Sequence, residues 1–575
     1  MFRWISVALA AVPFIVPVLA EAQSTSNPLV TITDADIVGN TSFTSDNTYL
    51  LSGLVFVEDG ETLSIEAGTV IKGRASGTTG DVSALIVARG GKIFADGNAR
   101  NPVIFTAEAD DVNDPNDILL SSPTASRGLW GGVIILGRAS INTATGEGNV
   151  EGIDASTEPR GIYGGGRNPN DDDNSGVFRY VSIRHGGTDI GANNEINGLT
   201  MGGVGRGTTI EHVEVFYNQD DGFEWFGGTV NTRYLISAFA GDDSFDYDEG
   251  FRGEHQFWFS IQDPSLGDHA GEHDGGTDPE DGRPYASPTI MNATYIGRGA
   301  SSTGDKANNG IIFRDNAGGM YFNSIFTEFQ GHMLSIEDLD PTRGAQDSRA
   351  RLDAGDLAFR YNILGAFGAG GTANDLGGDA HSAALLAEAS NMIRIADPML
   401  QGISWNRNRG LDPRPGNDSP AWDAGMLMEE PRGSGFFKDV DYAGAFGTEN
   451  WAANWSALAG LGYFSTAPPP VPPEPVVPEE GVPGAFSLAQ NSPNPFGMTT
   501  NIGYTVSSTS HILIEVYNLL GQRVATVVND TRLPGNYVES WDAQHLSSGV
   551  YFYRFEATAD GRTAHVFNRK MTLLK

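Results

Sequence analysis

Carboxylates dominate the part of this sequence that could do chemistry. Asp220, Asp221, Glu224, Asp242, Asp243, Asp246, Asp248 and Glu249 all fall within Asn218–Gly250, NQDDGFEWFGGTVNTRYLISAFAGDDSFDYDEG. Calcium takes hard oxygen ligands at about 2.3–2.6 Å in flexible geometry, and acids gathered on turns beside backbone carbonyls supply them. The stretch lacks the D-x-[DN]-x-[DN]-G loop of an EF-hand, so a calcium site here has to be assembled from more than one turn. The expected cofactor is calcium, with Asp220, Asp221, Asp242, Asp243, Asp246, Asp248 and Glu249 as the metal-binding set. The same acids are equally compatible with solvated turns, where Asp and Gly are common.

A second constellation, Asp268-His269-Ala270-Gly271-Glu272-His273-Asp274, mixes imidazole and carboxylate, a donor set that suits zinc or another transition metal. Gly267, Gly271, Gly275 and Gly276 speak against a rigid helix there, and no HExxH is present, so a polar surface loop is the other reading. Motifs of catalysis are missing: no GxSxG, no P-loop and no cysteine nucleophile. Polysaccharide cleavage is the enzymatic alternative. A lyase would pair calcium-binding acids with a cationic base such as Arg233 or Arg252, and a hydrolase would need two carboxylates across a groove. Phe257-Trp258-Phe259 supplies aromatic rings for stacking on sugars, or simply for a core.

What must position these acids is legible in the stretch itself, because it holds one unit written twice. Asp220-Asp221-Gly222-Phe223-Glu224 returns as Asp242-Asp243-Ser244-Phe245-Asp246, and each copy follows a short β-type run, His212–Tyr217 and then Arg233–Ala240. A period near twenty residues, made of short strands and Gly/Asn/Asp corners without helical periodicity, is what a solenoid of stacked parallel strands requires. The expected fold is all-β, a right-handed parallel β-helix in which Asp221 lies one rung from Asp243 at the inter-strand spacing of about 4.8 Å. Like charges that close repel unless a cation, a donor or water intervenes.

Similar runs occur on both sides: Leu29–Ile37, Asn47–Val57, Thr62–Gly73, Ala84–Ala95 and Pro102–Ala107 before, and Glu254–Ile261, Ser287–Ile296, Gly310–Asp315 and Gly319–Glu337 after. Trp130–Gly137 is continuously apolar, as in a strand covered on both sides. Asp110–Arg127 and Ala144–Ser175 are polar insertions that leave the coil. Ala380–Asn391 carries a helical period and is expected to cover a rung or an end. Leu411–Gly425 resembles the closing segment of secreted bacterial β-helix proteins, and Asp439–Trp455 resembles the cap that follows it.

Charge narrows the partners. The chain has 72 acidic against 36 basic residues, a net charge of −36. From Gly484 onward six acids meet seven bases, so the excess lies upstream. Nucleic acid and anionic lipid need clustered cations and are excluded as partners of such a surface. Met1–Ala22 reads as a signal peptide, with Arg3, an apolar stretch and Ala20-Glu21-Ala22 before Gln23. No later segment is apolar for long enough to span a bilayer. With no cysteine, neither disulfides nor lipid attachment through a thiol is available. A passenger over 23–467 is followed by Pro468–Gly484, whose eight prolines hold a linker near polyproline II.

The last ninety or so residues, 485–575, divide into short strands between turns, the pattern of a small immunoglobulin-like β-sandwich. They carry Asn491-Ser492-Pro493-Asn494-Pro495-Phe496, then Glu515-Val516-Tyr517-Asn518-Leu519-Leu520-Gly521-Gln522-Arg523-Val524, then Gly535 with Trp541-Asp542-Ala543. Leu546 through Arg554, including Gly549 and Tyr551, and then Lys570 complete the series. This domain resembles the type A C-terminal sorting domain of proteins exported by the type IX secretion system. The resemblance implies passage through the inner membrane by the signal peptide, folding in the periplasm, recognition by the type IX machinery, and release at or attachment to the outer surface. The passenger is then expected to be a binding or structural protein that meets polysaccharide or cell-surface glycan, with a calcium-dependent polysaccharide lyase or glycoside hydrolase as the alternative.

Overall fold

The computed structural model describes residues 27–75, 82–114, 126–153, 155–191, 194–276, 278–304, 308–339, 347–423, 427–428, 434–470, 486–518, 522–559 and 562–575. The expected signal peptide, most of the Pro-rich linker and Gly521 lie outside these residues. The chain divides into two compact units, Met1–Pro472 and Pro473–Lys575, with the division inside the proline-rich stretch.

The first unit is a parallel β-helix. One turn places Phe223–Phe226 in a first sheet and Thr232–Ala238 across a corner shared by a second and a third; the next turn repeats this with Phe245–Asp248, Glu254–Gln256 and Phe259–Ile261. Pairing is parallel and in register with the sequence repeat: Phe223 on Phe245, Glu224 on Asp246, Val213 on Leu235. Among the described residues the first sheet stacks nine strands, from Leu54–Val57 to Leu334–Ile336.

Alternation along each strand sends every second side chain inward. In the first sheet the inward columns run Leu199, Phe223, Phe245 and Met201, Trp225, Tyr247, His273. Trp225 and Trp258 stack at 5.1 Å, and Trp258 lies 4.5 Å from Phe245. Phe257, Trp258 and Phe259 are all buried, so they form core and not a platform for sugar rings. Without disulfides, cohesion comes from these columns and the backbone ladders between rungs.

The bend between second and third sheets is made by single residues in the left-handed region: Tyr180, His212, Tyr234, Phe257, Asn292, Asn323 and Tyr361, with φ from 50° to 61°. Such backbone is costly for a residue with a Cβ. Stacking offsets it: the rings of Tyr180, His212, Tyr234 and Phe257 succeed one another at 4.2, 4.3 and 4.8 Å.

Segment 434–464, which contains the expected cap Asp439–Trp455, lies along this corner and the third sheet's outer face. Trp451 packs 5.1 Å from Tyr234 and Trp455 5.8 Å from Tyr180, while Phe216, Phe239, Phe259 and Ile261 are buried beneath. Glu214, fully buried on the third sheet, accepts the backbone N–H groups of Ala457 and Leu458 at 2.6 and 3.2 Å and anchors the short helix Ala457–Gly460. The expected helix forms as Ala380–Ala387, followed by a 3₁₀ turn at Ala389–Asn391; it packs beside Leu334–Ile336, the last strand of the first sheet. The insertion after Trp130–Gly137 folds back so that Ile141, Val150, Ile153 and Tyr163 cover the outer face of the first sheet's early rungs.

The second unit is a β-sandwich of two antiparallel sheets, one ordering Ser487–Leu488, Thr499–Val506 and Gly535–Asp542, the other Arg523–Arg532, Ser510–Asn518, Gly549–Ala559 and Arg562–Leu573. Phe496, Ile514, Trp541, Tyr553 and Phe555 are among its core. Among the described residues no helix is long and apolar enough to cross a membrane.

Candidate functional site

The outer face of the first sheet carries one column that changes character midway. Phe56, Ile86, Ile134 and Thr200 are followed, rung by rung, by Glu224, Asp246 and Glu272, and then by Ile312 and Ser335. The apolar members are covered by the insertion, and Glu224 lies at its edge, where it accepts a hydrogen bond from Asn197 Nδ2. Three acids thus follow one another at the inter-strand spacing of about 4.8 Å.

A ladder of corners runs beside the column. Asn197 Oδ1 accepts the backbone N–H of Asp221 at 3.2 Å, Asp221 Oδ1 accepts that of Asp243 at 2.9 Å, and Asp243 Oδ1 accepts that of His269. The aspartates therefore sit one rung apart, as the repeat requires, and each carboxylate caps the turn of the next rung. Asp221, Glu224 and Asp246 each bring an oxygen within 4.8 Å of the others, and a ring nitrogen of His269 meets carboxylate oxygens of Asp243 and Glu272 within the same distance.

The remaining acids of the repeat do not join either group. Asp220 and Asp242 are half-buried in the turns, and both raise the pKa of Asp221. Asp248 accepts the N–H of Glu249, and the Glu249 carboxylate faces Tyr163. Three further acids, Glu280, Asp315 and Glu337, meet elsewhere on the unit. Arg314 escapes sequence reasoning; it bonds both Asp274, at 2.7 and 3.0 Å, and Glu272. Its position two residues past the outward Ile312 on the same strand is the signal that would have found it.

Burial sets the electrostatics. Asp221, Glu224 and Asp246 are held well above the ordinary carboxylate range, first by burial and then by acidic neighbours. Burial raises Asp248 to about 7, Glu249 to about 7 with help from Asp248, and Glu272 to about 7 with help from Asp243. Burial by itself lowers His269, but Asp243, Asp268 and Glu272 outweigh it and bring the imidazole to about 9. Asp246 Oδ1 is buried with no hydrogen-bond partner. Closely set oxygens that resist ionisation when empty are suited to a divalent cation, which replaces the protons.

The expected transition-metal loop is a strand from Gly271 to Asp274. Its alternation separates the two histidines: Glu272 and Asp274 face out, whereas His273 is inside, stacked 4.0 Å from Tyr247 with Nε2 2.7 Å from Tyr321 Oη. The candidate bases are also engaged elsewhere. Arg233 pairs with Glu211 at 3.2 Å and lies over Phe436, and Arg252 bonds Ser140 and pairs with Asp171 at 3.5 Å.

In the sandwich, the signature residues tie the opening segment to the last strand. Phe496 exchanges backbone bonds with Thr572 and Leu574, Asn494 Oδ1 accepts from Thr572, and the Pro493 carbonyl accepts from Asn491 and Thr500. Pro495 is exposed, Tyr551 is buried with its hydroxyl on the Ser547 carbonyl, Gly549 opens its strand, and the Lys570 carbonyl accepts from Gln490.

A family model for a pectate-lyase-like β-helix domain matches residues 35–363, more than half of the chain, and one for a secretion-system C-terminal sorting domain matches residues 492–566. Among curated proteins none matches. The sorting domain indicates export to the cell surface or the extracellular space and contact with the type IX machinery. Fold, register and both matches agree that the chain belongs to the family of pectate-lyase-like β-helix domains, here carried by a type IX sorting tail.

Proposed function

We propose that this exported β-helix protein is a calcium-dependent binder of acidic glycan at the cell surface. The observation that carries the reading is the group of Asp221, Glu224 and Asp246, whose oxygens converge within 4.8 Å on an outer sheet face with Asp246 Oδ1 unbonded. Calcium held there by three carboxylates keeps coordination positions open for a glycan carboxylate, so a net acidic protein gains an acidic ligand through the ion. Binding is favoured over cleavage because Arg233 and Arg252 are committed to Glu211 and Asp171, and Arg314 is held by two acids and raised above its usual value. An arginine base has to lose its proton, which the two acids oppose at Arg314, while Arg252, lowered by burial, is held by a hydrogen bond to Ser140 and an ion pair with Asp171.

The test is retention of the purified passenger on immobilised uronate-containing and neutral polysaccharides, with calcium and with chelator. Calcium-dependent retention on uronates without turnover supports the reading. Release of unsaturated products or new reducing ends, lost in Asp246→Ala, would replace it with a lyase or hydrolase.

A further inference from the structure

We propose that His269, Asp243 and Glu272 form a site for a zinc-type divalent metal, separate in its ligands from the carboxylate group assigned to calcium. His269 is 9 % exposed, and its Nδ1 has no hydrogen-bond partner. Around that nitrogen stand Glu272 Oε2 at 3.5 Å, Asp243 Oδ1 at 3.6 Å and Asp268 Oδ1 at 3.6 Å. A ring N–H bonded to a carboxylate draws it to about 2.7–2.9 Å. Here no carboxylate is drawn in, and three stand at nearly one distance. In a tetrahedron the ligand–ligand edge is about 1.6 times the metal–ligand bond, so such edges correspond to bonds of about 2.1–2.2 Å, in the range of Zn–N and Zn–O.

The elements hold these groups in place without the metal. Asp243 is fixed by accepting the backbone N–H of His269, and Glu272 is fixed as an outward residue of its strand and by Arg314. One nitrogen and two carboxylate oxygens from the chain leave a fourth position, with Asp268 at its rim, for water or a ligand oxygen; nitrogen in the set favours zinc over calcium. On the far side of the ring, Asn309 Nδ2 stands 3.4 Å from Nε2, while Asn309 Oδ1 accepts the backbone N–H of His332 at 2.9 Å. With metal on Nδ1 the ring proton moves to Nε2 and seeks an acceptor, which an amide held in this orientation does not offer. A carboxylate at position 309 supplies that acceptor while keeping the His332 bond.

Calorimetric titration of the full chain with zinc chloride alone, after chelation and dialysis, tests the assignment. One zinc per chain is expected, with affinity lowered at least tenfold in His269→Gln and in Glu272→Gln, raised about tenfold in Asn309→Asp, and unchanged in Glu280→Gln, in the acidic group elsewhere on the unit. Circular dichroism establishes that each variant is folded, and having two loss variants guards against one that is not. Absence of zinc binding by the native chain, or unaltered binding in the folded histidine or glutamate variant, overturns the site. Zinc lost and calcium retained, or the reverse, separates this site from the calcium reading.

Discussion

Asp221 Oδ1 accepts the backbone N–H of Asp243 at 2.9 Å, across 22 residues of sequence. The side chain that repeats thus enforces the repeat, and the same carboxylate brings an oxygen within 4.8 Å of Glu224 and Asp246. Structural and ligand-binding roles are therefore separable by substitution. Asp221→Asn keeps an acceptor for the Asp243 amide but removes the charge, whereas Asp221→Ala orphans a buried N–H. In chelator, Asn is expected to be neutral or stabilising and Ala to cost about 1–3 kcal/mol. In calcium both lose the ion's stabilisation. Denaturant unfolding of the three proteins with and without calcium reads both effects.

The pH dependence of the metal-free passenger follows from the raised groups. Asp248, Glu249 and Glu272 stand at about 7 in the fold, above the ordinary 3.8 to 4.5, so the native state binds more protons than the unfolded chain between those values. Their contribution is present at low pH and lost as pH rises toward 7. His269, at about 9 against 6.5, gives stability below 6.5 that is lost as pH rises through 9. Burial holds His212, His255 and His273 below their ordinary value, and these act the other way below about 6.5, so in chelator the melting temperature is expected to fall most clearly from about pH 6.5 to pH 9. Calcium should flatten the fall, because it replaces protons on Asp221, Glu224 and Asp246, which burial likewise holds above the ordinary carboxylate range. Thermal melts across this range check it, and a melting temperature that rises with pH in chelator would contradict it.

Trp258 is fully buried, stacked on Trp225 and Phe245, and its Nε1 donates to Thr232 Oγ1 at 2.9 Å. Trp258→Ala is expected to cost about 3–5 kcal/mol, with calcium affinity per folded molecule unchanged. Denaturant unfolding and calorimetry on the folded fraction measure the two terms separately.

Glu214 holds the flanking segment by accepting two of its backbone amides, and is itself fixed by the hydroxyl of Ser182 on the paired strand. Glu214→Ala is expected to free the region around Ala457 at a cost of about 1.5–3 kcal/mol, the scale of hydrogen bonds to a charged group. Limited proteolysis should then cut within 434–464 well before the coil. Equal resistance in variant and native protein would show that the aromatic contacts alone suffice.

Export should depend on the sandwich and not on the coil. Removal of 486–575 is expected to leave folded passenger in the periplasm, detected by cell fractionation, while Asp221→Asn reaches the surface normally. Undiminished export of the truncated chain would rule out sorting by this domain.

The sequence by itself determined the coil and the tail. An offset repeated between two acidic turns forces equal rungs, and in a parallel stack equal rungs force register, so Asp221 had to lie beside Asp243. Strand alternation likewise fixes which residues face out once the strand is known. The sandwich was legible for the same reason, since its strands are bounded by turns and its signature residues are local. What only the tertiary structure decided is which distant residues join the repeat. Glu272 continues the Glu224–Asp246 column although an insertion breaks the period before it, and His269 reaches Asp243 through a turn of altered length. The segment after Ser434 lies along the corner because the aromatic residues there adopt positive φ and present a stacked face, a conformation that no local signal announces. Register is a property of neighbouring rungs and can be read by counting; convergence across insertions depends on how far a loop carries the chain before it returns, and only the folded coil fixes that.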